Sequence, residues 1–254
     1  MNLETISNTN TMPQRERAYD EAFARPMPWA MKLRRLVRPL IFRLWRAWQL
    51  AVNRSAGCVR LEKLVLRTHQ QVFHPGQHFS SKILARYVTH LPLPQRQVLD
   101  MGTGSGVLGI IAARQGAHVL AVDINPHAVA LAQSNAQANG VSLPTRQSDL
   151  FTGIRRAEKF DWIIFNPPFY AKRAQEGLQA AYNAGEQHEA LVRFFQEAQN
   201  HLAPGGKILL IVSSDMALDE MARMLASFQY CFVHIEVVPH WFEFFYIVQI
   251  APSF

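Results

Sequence analysis

An Asn-Pro-Pro-Phe-Tyr segment at residues 166–170 has the side chains best suited to chemistry in this sequence. The apolar run just before it predicts a strand that is covered on both faces. Because two consecutive prolines fix φ and lack backbone donors, Asn166 is expected at the strand end, among exposed carbonyl acceptors. Its side-chain oxygen and the Pro167 carbonyl could accept both hydrogens of an amide or exocyclic amine, while Phe169 or Tyr170 covers the planar group. A proline-stiffened loop without chemistry is the alternative.

A glycine-rich turn lies upstream, between a predicted strand at 97–101 and a helix-like run at 107–113. Gly102, Gly104 and Gly106 permit a tight turn and let the backbone approach a ligand closely. The following helix would present free N–H groups to polar ligand atoms. NAD-binding folds have similar glycine patterns, and a purely structural turn would also use some of these glycines.

Two aspartates follow at the ends of the next predicted strands. Asp123 ends the strand 118–123 and is well placed to accept hydrogen bonds from two ribose hydroxyls. Asp149 follows a short strand near 142–146 and could accept from an adenine amino group, with Leu150 and Phe151 flanking the ring. Helix capping by Asp123 and a solvated turn at Asp149 are the structural alternatives.

These motifs occur in one order, at intervals suited to successive βα units, and each lies at a strand's carboxyl end, where open α/β sheets bind ligands. Residues from about 74 to 203 resemble the class I S-adenosylmethionine-dependent methyltransferases. They are more similar to the Asn-Pro-Pro-aromatic N-methyltransferases, which include release-factor glutamine methyltransferases and enzymes that methylate base amines in rRNA, tRNA and DNA.

The resemblance implies S-adenosyl-L-methionine as cofactor and methyl transfer to a planar nitrogen. It places Asn166, Pro167, Phe169 and Tyr170 at the target nitrogen. The cofactor contacts that it implies are Asp100, Gly102, Thr103, Gly104, Gly106, Asp123, Asp149 and Leu150.

The implied fold is α/β and Rossmann-like, with a seven-stranded, mostly parallel sheet and an antiparallel C-terminal strand. Periodicity supports the second half of this sheet, because it predicts helices at 189–202 and 215–228 and strands at 207–213, 232–238 and 244–250. We predict a basic, mainly helical extension at 1–70 and a methyltransferase domain at 71–254.

The segment 72–81 departs from the release-factor enzymes, because it lacks their acidic residues. Its position still indicates a loop that closes over cofactor or substrate. His74 and His78 raise a metal hypothesis, but we expect no metal, since zinc sites need three or four convergent ligands. Residues 170–186 are the best candidate for a substrate-facing lid.

The positive charge is concentrated at the N-terminus. Residues 1–70 contain 13 Lys and Arg against 5 Asp and Glu, whereas the remainder contains 13 against 14. The segment 31–54 predicts a basic amphipathic helix, which could contact RNA, an acidic protein or an anionic membrane, or pack on the catalytic domain. Two cysteines and the lack of an apolar signal or spanning run favour a cytoplasmic enzyme.

Together these features predict an N-methyltransferase. The first candidate reaction is protein methylation on a glutamine-type amide of a release-factor-like protein. Methylation of an exocyclic base amine in RNA or DNA, or of a small-molecule metabolite, is the alternative. A cofactor-binding module without catalysis is a further class, which the complete set of motif residues disfavours.

Overall fold

The computed structural model describes residues 57–76, 78–167, 189–214, 216, 218–240 and 243–253. The predicted basic helix at 31–54 and the predicted lid at 170–186 lie outside these residues, as do Phe169 and Tyr170.

One seven-stranded sheet forms the centre of the described chain. Its strands are β3 (Gln97–Met101), β4 (His118–Asp123), β5 (Thr145–Gln147), β6 (Phe160–Phe165), β7 (Leu202–Ser213), β8 (Tyr230–His240) and β9 (Glu243–Pro252). They lie in the order β5-β4-β3-β6-β7-β9-β8, and β9 runs antiparallel to both of its neighbours. This confirms the predicted fold class. The strand order reverses beside β3, which is the point where open α/β sheets bind ligands.

Helices cover the two faces of this sheet. They are α1 (Phe79–Val88), α2 (Val107–Arg114), α3 (Pro126–Ala138), α4 (Glu189–Ala198) and α5 (Leu218–Ser227). The first three pack into one apolar core, and α4 and α5 pack into a second core across the sheet. Ile163 and Ile164 of β6 point to opposite faces and are both fully buried, as the apolar run predicted.

The helix α4 has the apolar spacing of a surface helix. Leu191, Phe194, Phe195 and Ala198 are buried and recur at intervals of three, one and three residues, which gives a single apolar stripe. The helix ends at Ala198 and continues as a 3₁₀ turn to His201, within the predicted range. The next predicted helix begins at Leu218, three residues later than expected.

A separate hairpin precedes the first helix and was not among the predicted elements. It consists of β1 (Cys58–Leu61) and β2 (Leu64–Arg67), paired antiparallel. Leu64 and Leu66 are fully buried in the core that contains α1, α2 and α3. This end of the predicted extension therefore packs on the α/β fold, while the division at residue 70 stays a prediction.

No helix among the described residues combines the length and apolar character needed to cross a bilayer.

Candidate active site

The loops that follow four neighbouring strands meet at one edge of the sheet. Met101 lies opposite both Val122 of β4 and Phe165 of β6, and Asp123 lies opposite Gln147 of β5. The structure therefore brings the glycine turn, Asp123, Asp149 and Asn166 to the same edge, as the order of motifs predicted.

The glycine turn has two different steric environments. Gly102, Gly104 and Gly106 all have positive φ, at 66°, 54° and 85°. A Cβ added at Gly106 would lie 3.0 Å from the Cα of Ala132 in α3, so this glycine permits close packing between the turn and the helix. At Gly104 the nearest atom to such a Cβ would be 4.0 Å away, which leaves room for a ligand against the backbone.

Asp100 joins the end of β3 to the start of α2. Its Oδ2 accepts hydrogen bonds from Thr103 Oγ1 at 2.6 Å and from the Gly109 N–H at 2.9 Å. The side chain is only 1% exposed, and its Oδ1 has no hydrogen-bond partner among the described residues. Burial raises the pKa of Asp100 to about 7, although both hydrogen bonds act in the opposite direction. Asp100 therefore fixes the turn, and one oxygen remains for a further donor.

Asp123 also braces the turn. Its Oδ2 accepts from the Gly104 N–H and its Oδ1 from the Asn125 N–H, both at 2.9 Å. Burial raises the pKa of Asp123, and these hydrogen bonds oppose that shift. Because a carboxylate oxygen can accept more than one hydrogen bond, capacity remains for hydroxyl donors.

The residue that caps α3 is Asn125. Its Oδ1 accepts from the His127 N–H at 2.9 Å, and Pro126 occupies the first helical turn. The capping alternative for Asp123 is therefore wrong. Ile124 lies between Asp123 and Asn125 in sequence, next to the predicted ribose site. Its large apolar side chain is 59% exposed, and no sequence pattern indicated it.

Asp149 forms an ion pair that the sequence did not reveal. Its Oδ2 lies 2.8 Å from a guanidinium nitrogen of Arg193 in α4, and both side chains are partly exposed. Leu150 has φ of 49°, a left-handed conformation that is uncommon outside glycine. Ser148 holds this turn, because its hydroxyl donates to the Leu150 carbonyl and accepts from the Gly153 N–H. Phe151 is buried and stacks on His201, so it packs in the core.

Asn166 lies just beyond β6 and has an unusual hydrogen-bonding state. Its Nδ2 donates to Ser81 Oγ of α1 at 3.1 Å. Its Oδ1 is buried and has no partner within the described part of the chain. Pro167 is buried next to it. A buried amide oxygen without a donor is costly, so this atom is suited to a ligand that brings N–H groups.

The segment before α1 leads into the helix whose Ser81 contacts this asparagine. His78 is buried and stacks on Phe73 with ring centroids 3.6 Å apart. Burial, with smaller effects from His74 and Lys82, lowers the pKa of His78 to about 3, so the ring is neutral. Among the residues described, no three His, Cys, Asp or Glu side chains converge as a metal site would require.

The comparisons with known proteins agree with this geometry. A family model described as the methyltransferase small domain matches residues 63–238. The chain belongs to the methyltransferase small-domain family. It is an S-adenosyl-L-methionine-dependent methyltransferase of class I.

Relatives of this methyltransferase include enzymes named for different acceptors. A candidate protein N5-glutamine methyltransferase of Methanocaldococcus jannaschii is 34% identical over 61% of this chain and 79% of its own length. The ribosomal RNA small subunit methyltransferase C of Chromohalobacter salexigens is 35% identical over 66% of this chain and 48% of its own. The release factor glutamine methyltransferase of Cereibacter sphaeroides is 36% identical over 48% of each chain. The methyltransferase thus spans only about half of the two bacterial relatives.

Solved structures share the fold at lower identity. A ribosomal protein L11 methylase from Lactobacillus delbrueckii subsp. bulgaricus superposes with a TM-score of 0.54 at 23% identity, covering 72% of this chain and 82% of its own. A 16S rRNA methyltransferase of T. thermophilus, solved with S-adenosylmethionine and guanosine, gives 0.59 at 23% identity, covering 78% and 50%.

The residues at the sheet edge fit S-adenosylmethionine. The open space at Gly104 accepts a ligand against the backbone, the unpartnered Asp100 Oδ1 can take a further donor, and Asp123 has acceptor capacity left. The individual cofactor contacts stay predictions.

Proposed function

We propose that this methyltransferase transfers a methyl group to the side-chain amide nitrogen of a glutamine in a protein factor of the release-factor type. The observation that carries the proposal is the Asn166 amide, which is held through Nδ2 and keeps a buried, unpartnered Oδ1 at the carboxyl end of β6. That oxygen suits an acceptor with N–H hydrogens to donate. The relatives named for glutamine methylation support the same acceptor.

The chemical problem is the poor nucleophilicity of a planar nitrogen, whose lone pair is delocalised into the carbonyl group. Asn166 Oδ1 and the Pro167 carbonyl would accept the two hydrogens of the NH₂ group and favour pyramidal geometry at the nitrogen. When bound, S-adenosylmethionine supplies an electrophilic methyl group on a sulfonium. The nitrogen forms its new bond to carbon as the carbon–sulfur bond breaks, and it then loses a proton to solvent because methylation makes it strongly acidic.

Positioning carries much of this catalysis. Holding donor and acceptor in near-attack geometry can lower a barrier by roughly 7 to 11 kcal/mol. We assign the shape of the backbone beside the cofactor to Gly102, Thr103, Gly104 and Gly106. Asp100 fixes that turn. Asp123 would bind the ribose hydroxyls, and Asp149 and Leu150 the adenine, while Phe169 or Tyr170 would cover the acceptor plane.

A second candidate is methylation of an exocyclic base amine, which presents the same planar NH₂ group. The relative named for ribosomal RNA and the basic excess of residues 1–70 favour it. Whichever of these two acceptors is used, the partner of the basic segment stays a prediction. A small-molecule acceptor also stays a prediction. We place the enzyme in the cytoplasm, where proteins and RNA both occur. Its two cysteines are free, which agrees with a reducing compartment.

Labelled methyl transfer tests the proposal. Purified enzyme and S-adenosyl-L-methionine with a labelled methyl group are incubated with a cell extract, which is then separated into protein, nucleic-acid and small-molecule fractions. We expect label in protein that acid hydrolysis releases as methylamine, because the amide bond of N-methylglutamine is cleaved. Label that ribonuclease converts to methylated nucleosides would support the second candidate instead. Incorporation that is equal with Asn166→Ala would contradict the role assigned to that residue.

A further inference from the structure

We propose that Ser81 is a positioning residue for the transfer, because it anchors the Asn166 amide in the orientation that presents Oδ1 to the acceptor nitrogen. The inference rests on the proposed function of that amide. Neither the glycine turn nor the Asn-Pro-Pro segment contains this residue, which lies in the first turn of α1.

The proposal rests on one polar contact. Ser81 Oγ lies 3.1 Å from Asn166 Nδ2, and the serine is only 4% exposed. Eighty-five residues separate the two in sequence, so the contact depends on how α1 packs beside the end of β6. Because the serine is buried, water does not readily take the place of its hydroxyl, which makes the hydroxyl an effective anchor.

Asn166 can present Oδ1 to the acceptor only while its terminal torsion stays near the observed value, because rotation moves the oxygen away and brings an N–H group towards the acceptor. Terminal torsions of this type have broad wells, so a hydrogen bond from Nδ2 to a buried neighbour narrows the range of the torsion. In the described chain Ser81 is the side chain hydrogen-bonded to this amide.

The chain offers a matched control in the same helix turn. Ser80 is also 4% exposed, and the asparagine contacts Ser81 instead. Replacing either serine by alanine deletes one buried hydroxyl from α1, so general effects on the helix are shared. Only Ser81→Ala removes the anchor of the amide.

The first measurement is a double-mutant cycle on turnover in the labelled-methyl assay, using whichever extract fraction accepts label from the wild type. We expect Ser81→Ala to lower turnover about 3- to 10-fold, the equivalent of one hydrogen bond, without changing the dissociation constant of S-adenosylmethionine. Ser80→Ala should leave turnover unchanged, and Ser81→Thr should restore it because the hydroxyl returns. In an Asn166→Ala background, Ser81→Ala should have no further effect.

The second measurement needs no acceptor. The side-chain amide of Asn166 is assigned by nuclear magnetic resonance from the signal pair that Asn166→Ala removes, and its hydrogen exchange is recorded. We expect exchange to accelerate in Ser81→Ala and to stay unchanged in Ser80→Ala. Unchanged exchange in Ser81→Ala, or an equal fall in turnover with and without Asn166, would overturn the inference.

The two measurements separate failure of the inference from failure of the proposed function. If Asn166→Ala keeps full turnover, the acceptor role of the asparagine is wrong, and the positioning role of Ser81 is wrong with it. If Asn166→Ala is impaired while Ser81→Ala matches the wild type, only the inference on Ser81 is overturned.

Discussion

Asn135 of α3 joins the N-terminal hairpin to the glycine turn, and its replacement by alanine should weaken both. The side chain is fully buried. Its Oδ1 accepts from the Arg67 N–H at 2.8 Å, and its Nδ2 donates to the Arg67 carbonyl at 3.1 Å and to the Ser105 carbonyl at 2.9 Å. One amide therefore satisfies three backbone groups from two separate segments.

The expected loss of stability follows from the surroundings of those three groups. The Ser105 carbonyl would be left buried without its donor, which costs about 1–3 kcal/mol. The two Arg67 groups lie at a half-buried strand edge that water can reach, so each hydrogen bond contributes only about 0.5–1.5 kcal/mol. We expect Asn135→Ala to lower the free energy of unfolding by about 3 kcal/mol, and to weaken cofactor binding because Ser105 lies in the glycine turn.

Asn139, one helical turn later, provides the control. Its amide pairs with the N–H and carbonyl of Val65 at 3.1 and 2.8 Å in a more exposed position, and its Nδ2 also donates to the Asn135 carbonyl at 2.8 Å. None of these partners belongs to the glycine turn. Asn139→Ala should therefore lower the free energy of unfolding by about 1–2 kcal/mol, less than Asn135→Ala, and leave cofactor affinity unchanged. Urea unfolding and calorimetric titration with S-adenosylmethionine measure both quantities. Equal stability and equal affinity of the two variants would refute the reasoning.

Three further predictions concern the cofactor side of the site. Gly106→Ala should lower the thermal unfolding temperature more than Gly104→Ala, because its Cβ would lie 3.0 Å from the α3 backbone. Gly104→Ala should mainly weaken S-adenosylmethionine binding. A larger loss of thermal stability in Gly104→Ala than in Gly106→Ala would contradict this. Burial raises the pKa of Asp100 from 3.8 to about 7, so its contribution to stability is complete below pH about 4 and is lost as the pH rises to about 7. Asp100→Asn should flatten that part of the pH dependence in urea unfolding, and an unaltered curve would show that Asp100 does not cause it. Asp123→Ala should weaken S-adenosylmethionine binding by about 1–3 kcal/mol in calorimetric titration, and wild-type affinity would remove Asp123 from the cofactor site.

Much of the fold could be predicted because its signals are local. Apolar runs such as Ile163 and Ile164, and the apolar stripe of α4, follow the periods of strand and helix directly. The hairpin β1–β2 was missed because its turn residues, Glu62 and Lys63, both have positive φ without the glycine or asparagine that usually indicates such a turn.

The site residues that sequence reasoning missed depend on contacts between distant segments. Ser81 meets Asn166 across 85 residues, and Arg193 meets Asp149 across 44. No local pattern connects either pair, since each contact requires a helix to be placed against the end of a strand. The available signal for the first pair was the presence of a serine in the segment already predicted to close over the site. The ion pair had none.

The role of Asn166 at the acceptor nitrogen is tested by comparing wild type and Asn166→Ala in single-turnover methyl transfer and in S-adenosylmethionine binding. We predict that the dissociation constant of the cofactor stays within about twofold, while the rate of transfer falls about 100-fold or more, the usual effect of removing an oriented polar group at a reacting centre. An equal rate in both proteins would contradict the claim that Asn166 engages the acceptor nitrogen.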